Sequence, residues 1–164
     1  MSHRLSALLL FATLLQVPAV LNAQQDHSSH DHEAMMHRGE QGMGFSQTKT
    51  NHHFLLKPDG GVIAVSGNDA KDIETRDHIR MHLTHIAQAF AAGDFDIPGF
   101  VHDQQPPGVP VMKRLASKIQ YRFHETERGG EVALSSTSAE AVQAIHDFLT
   151  FQIREHQTGD PIRQ

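Results

Sequence analysis

The pattern that most constrains the fold is a repeated order of events around two glycine pairs, Gly60-Gly61 and Gly129-Gly130. The first lies in "HHFLLKPDGGVIAVSG", two short β-forming runs separated by a strong turn signal, and the second in "KIQYRFHETERGGEVALSS", again strand, turn and strand. Each is followed by a helical period. From Ala70 to Ala92, Ile73, Ile79, Leu83, Ile86 and Phe90 share one stripe, capped by Asn68 or Asp69 and ended by Gly93. In "TSAEAVQAIHDFLTFQIREH" the stripe is Val142, Ile145, Phe148, Leu149 and Ile153. Two ββα units predict an α+β domain: a four-stranded antiparallel sheet with both helices on one face, its strand order unreadable. The intervening "DFDIPGFVHDQQPPGVPVM" has the proline and glycine density of an irregular but packed loop.

The chain before this domain divides in two. Residues 1–23 read as an export signal: a short polar start with Arg4, the apolar run "LSALLLFATLLQV", and small Ala23 at a cleavage point. That implies a periplasmic or secreted protein with no membrane anchor after cleavage. Residues 24–50 are poor in aliphatic side chains and aperiodic, and are expected to form a flexible arm ahead of a single domain over 51–164.

Composition excludes several chemistries. With no cysteine there is no disulfide, no thiolate nucleophile and no thiolate metal ligand. A formal charge of -5 leaves no basic field to gather nucleic acid. No phosphate-binding glycine loop, Gly-x-Ser-x-Gly elbow or haem attachment pair is present, and the carboxylates Asp94 and Asp96 read as turn formers. The outlier is histidine, 14 residues in 164.

Those histidines form three groups. The arm carries His27, His30, His32 and His37 with Met35, Met36 and Met43. Imidazole suits copper and zinc and thioether chiefly suits Cu(I), so this mixture in a cysteine-free chain points to copper, with zinc as competitor. In "HIRMHLTH", His78, His82 and His85 stand at i, i+4 and i+7, one strip on the flank of the first domain helix. A histidine pair at i and i+4 can chelate one ion, although the glutamate of helical zinc motifs is missing. The third group is His53 or His102 closing over that strip. Alternation sends His52 and His53 to opposite faces, His52 with Phe54 and Leu56 and His53 with Leu55, so one of them can join. His156, in the last turn of the second domain helix, reads as a protonated imidazole meeting the helix dipole.

At "MGFSQTKTNHHFLL", "IRMHLTHIAQAFAAGDF", "VHDQQPPGVP" and "IHDFLTFQIREHQTGD" the chain resembles a family of small exported bacterial proteins without an established activity, over residues 42 to 160. The resemblance implies one defined domain and leaves the mechanism to the residues. Three functions are compatible with the pattern. The first is copper buffering, carriage or sensing, with a partner protein for metal transfer. The second is a module binding a small ligand or protein without metal. The third, a metal-dependent hydrolase or oxidase, needs an open coordination position. Histidines converging in space favour the first or third, and histidines splayed into solvent the second.

Overall fold

The computed structural model describes the backbone of residues 20–163 and the side chains of residues 32–163. The expected signal peptide therefore lies largely outside the described residues. The elements are α1 (Val20–Met43), β1 (Thr50–Lys57), β2 (Gly60–Gly67), α2 (Ile73–Ala91), α3 (Asp96–His102), α4 (Val109–Arg114), β3 (Gln120–Thr126), β4 (Gly129–Ser135) and α5 (Ala139–Glu155). No helix among the described residues is long and apolar enough to cross a membrane.

The fold is α+β, and the four strands form one antiparallel sheet in the order β1-β2-β4-β3. The two hairpins meet through their second strands, the ones that start with a glycine pair. Their register aligns Phe54, Ile63, Val132 and Phe123 in one row across the sheet. Because side chains alternate between faces, that row and its neighbours, Val65 and Leu134, all point to one side. There α2 contributes Ile79, Leu83, Ile86 and Phe90, and α5 contributes Ile145, Phe148, Leu149 and Ile153, to a single buried core. Phe90, Phe95 and Phe148 stack and meet edge-on at its centre.

The helix boundaries follow local chemistry. Asp72, beyond the expected caps Asn68 and Asp69, accepts the Thr75 backbone N–H at 3.0 Å and starts α2; Gly93, at φ 77°, ends it. The stretch expected as an irregular loop contains α3 and α4. Pro110 at the start of α4 tolerates the lost N–H there, so proline marks a helix start in this segment and not a break.

The arm also departs from expectation: it is helical as α1 up to Met43 and not a free coil. Ala34, Met35, Met36, Arg38 and Glu40 are good helix formers, and packing does the rest. Met35 is buried, Gly42 fits against the Val101 side chain, and Arg38 Nε donates to the Val101 carbonyl of α3 at 2.9 Å. Phe45 then enters the core.

The sheet glycines set how closely the layers approach. A methyl group at Gly61 would overlap the Leu149 side chain of α5 and the Leu55 carbonyl. Gly61→Ala is expected to destabilise the fold by about 1–3 kcal/mol, through overpacking with a backbone obstacle that cannot move aside. Urea unfolding measures it; no change in midpoint would contradict this packing.

Candidate functional site

Four histidines gather where β1, α2, α3 and the end of α5 come together under α1. His52 enters from β1 on the face of Phe54, His82 from the flank of α2, His102 from the end of α3, and His156 from the C-cap of α5. The rings of His52 and His156 lie parallel with centres 5.8 Å apart, and His102 meets His156 edge-on at 5.1 Å. Phe45 touches both His52, at 6.2 Å, and His82, at 5.6 Å. His52, His82 and His156 line one cavity of about 70 Å³ together with Met43, Gln152 and apolar side chains of the core.

Burial keeps these rings neutral. Desolvation is the main cause for all four. It lowers His52 to about 4 with help from His53, His82 to about 4 with help from His52 and His85, and His156 to about 3 with help from its neighbours His52, His102 and His32. His102 is also lowered, although Gln152 and Glu155 oppose the effect.

The site leaves polar atoms without partners. His52 Nε2, His102 Nδ1 and Gln152 Nε2 are three of the four buried side-chain polar atoms that lack a hydrogen bond among the described residues. Each omission costs about 1–3 kcal/mol, and such groups in a folded protein call for a reason. His102 Nε2 donates to Gln152 Oε1 at 2.9 Å, because that oxygen can only accept. The neutral ring then presents the lone pair of Nδ1, and Glu155 Oε2 stands 3.8 Å away, beyond hydrogen-bond distance.

The structure redistributes the residues singled out from sequence. Of the strip, only His82 turns into the cluster; His78 is half-buried on the flank and His85 is exposed. His53, on the opposite face of β1, is exposed and pairs with Asp160 at 2.9 Å, so His52 takes the position that one of the pair was expected to fill. His102, expected to close over the strip, instead meets His156 and Phe151. His32 lines the outer clefts, His37 is exposed, Met35 is buried, and the Met36 carbonyl accepts from Gln47, while the side chains of His27 and His30 lie outside the described residues. Among the described residues no three histidine or carboxylate side chains already stand close enough to share a metal ion.

His156 is the residue that sequence reasoning misplaced. Its ring is half-buried and desolvation holds its pKa down to about 3, so it is not the charged helix cap that its position suggested. The usable signal was spacing: Ile145, Leu149, Gln152 and His156 follow one another along the buried stripe of α5. No protein-family model, curated protein or solved structure matches the chain.

Neutral burial has a pH signature. A histidine held below its unfolded value near 6.5 takes up no proton where the unfolded chain does. Its contribution to stability is therefore complete above pH about 6.5 and is lost as pH falls toward its folded value, by about 1.4 kcal/mol per pH unit for each histidine. The urea midpoint is expected to drop steeply between pH 6.5 and 4.5, and less steeply in His156→Phe. Equal slopes in the two proteins would show that His156 titrates normally.

Proposed function

We propose that this is an exported metal-binding protein that buffers, carries or senses copper, with its defined site at His52, His82 and His156. The observation that carries the reading is the small cavity those three rings share with Met43. Drug-sized ligands need pockets of about 300 Å³ or more, whereas one water occupies about 30 Å³, so a cavity of this size suits an ion with little else.

Coordination chemistry supports the same reading. Metal–nitrogen bonds of about 2 Å place the centres of two imidazoles on one tetrahedral ion about 5 Å apart. The His52 and His156 rings are separated by 5.8 Å, and His52 Nε2 has no hydrogen-bond partner among the described residues. Ligation of one ion requires the rings to turn about their side-chain bonds so that their lone pairs converge. Neutral imidazole is the ligating form, and these rings hold it well below neutral pH. Met43 adds a soft thioether, which favours Cu(I) over zinc.

Under this reading the arm histidines His27, His30, His32 and His37 capture ions, the cluster holds one, and a partner protein receives it. Met35 belongs to the packing of α1, being buried against the domain.

Calorimetric titration with anaerobic Cu(I), Cu(II) and Zn(II) tests the proposal. One tight site is expected, Cu(I) bound best, and weakened about tenfold or more by His52→Ala or His156→Ala but not by His53→Ala or His85→Ala. Binding should persist at pH 5, where the imidazoles of His52, His82 and His156 stay neutral. No binding stronger than that of a histidine-containing control peptide, or loss only in the His53 and His85 variants, would refute it.

A further inference from the structure

We propose that the larger cleft between α1 and the C-terminal end of α5 is a second binding site, built for a free α-amino acid. Its volume is about 550 Å³, within the range of small-molecule sites, and Arg38, Arg154, Asp103, Glu155, His102 and Gln157 line it. The cavity at His52, His82 and His156 is about 70 Å³ and shares no lining residue with this cleft, so this site stands independently of it.

The charges in the cleft are balanced and uncommitted. Arg38 is fixed to the wall by its Nε bond to Val101, and its terminal guanidinium nitrogens make no hydrogen bond among the described residues. Neither Arg38 nor Arg154 forms an ion pair among the described residues, although two carboxylates share the cleft with them. A guanidinium presents a planar fork that matches a carboxylate.

At the other pole, the His102 side chain is 1% exposed and its Nδ1 lone pair faces Glu155 Oε2 at 3.8 Å. Two acceptors facing each other repel, and a donor between them relieves the repulsion. An ammonium group can donate to both, while a plain anion would add a third negative centre. Equal numbers of fixed cations and carboxylates therefore favour a zwitterion over a simple anion or amine.

The backbone marks the same place. Asp103, at φ 52°, and Gln157, at φ 51°, are the two non-glycine residues with positive φ among the described residues, and both line this cleft. Each ends a helix in the left-handed conformation where glycine is the inexpensive choice, and a side chain costs about 1 kcal/mol. The chain places polar side chains there instead. Such strain collects at binding sites.

The test is calorimetric titration of the full chain, stripped of metal on a chelating resin, with a panel of free L-amino acids, each paired with its carboxamide and its N-acetyl form. At least one amino acid is expected to bind at a ratio of one to one, and either cap should weaken it by about tenfold or more. Arg154→Gln should abolish the preference for the free carboxylate, and Glu155→Gln the preference for the free amine, with helix content unchanged by circular dichroism. Absence of binding at millimolar concentration, or affinity indifferent to capping, would overturn the proposal without touching the metal site.

Discussion

The antiparallel pairing of β2 with β4 is the constraint on which the rest of the molecule depends. It joins the two hairpins at their glycine-led strands and aligns Phe54, Ile63, Val132 and Phe123 on one face. A slip of one residue would turn that row to the other side and leave α2 and α5 with nothing to cover. The glycines make the close approach possible: Gly61 admits the Leu149 side chain, and Gly129 leaves room for the Val65 carbonyl and for Ile79. With the register set, His52 follows Phe54 inward, and the ends of α3 and α5 are carried to the same edge of the core.

At that edge the protein accepts a cost that a purely structural solution would avoid. Three half-buried imidazoles held at about 4, 4 and 3 are neutral at any ordinary pH, and the nitrogens of His52 and His102 that lack partners among the described residues gain nothing from burial. Phenylalanine or leucine would pack such positions without leaving lone pairs unsatisfied. Concentration of His52, His82 and His156 beside one small cavity, and not across the whole core, is what sets the region apart as a candidate site.

Much of the architecture was legible because it rests on local periodicity. The strand–glycine–strand–helix order recurs, and the stripes of α2 and α5 are the ones that the core buries. Strand order was not legible, since either strand of each hairpin could have taken the centre. Segments with weak periodicity were read as too irregular: α3 and α4 sit among prolines and glycines, and α1 is ordered by contacts to α3 that no local pattern contains. The histidine strip shows the same limit at the level of chemistry. Regular spacing put His78, His82 and His85 on one flank, but the core reaches only His82. The remaining members of the cluster, His52, His102 and His156, come from three other elements far apart in sequence, and only the tertiary fold brings them together.

The central claim, that the half-buried neutral imidazoles of His52, His82 and His156, and not the full strip of His78, His82 and His85, form the metal site, is tested most directly by nuclear magnetic resonance of the protein labelled with ¹⁵N at its histidine rings. Diamagnetic Cu(I) would be added anaerobically. The account predicts that the ring nitrogens of His52, His82 and His156 shift together and saturate at one equivalent, while those of His53, His78 and His85 stay in place. Saturating shifts confined to His78 and His85, or to the histidines of α1, would contradict it.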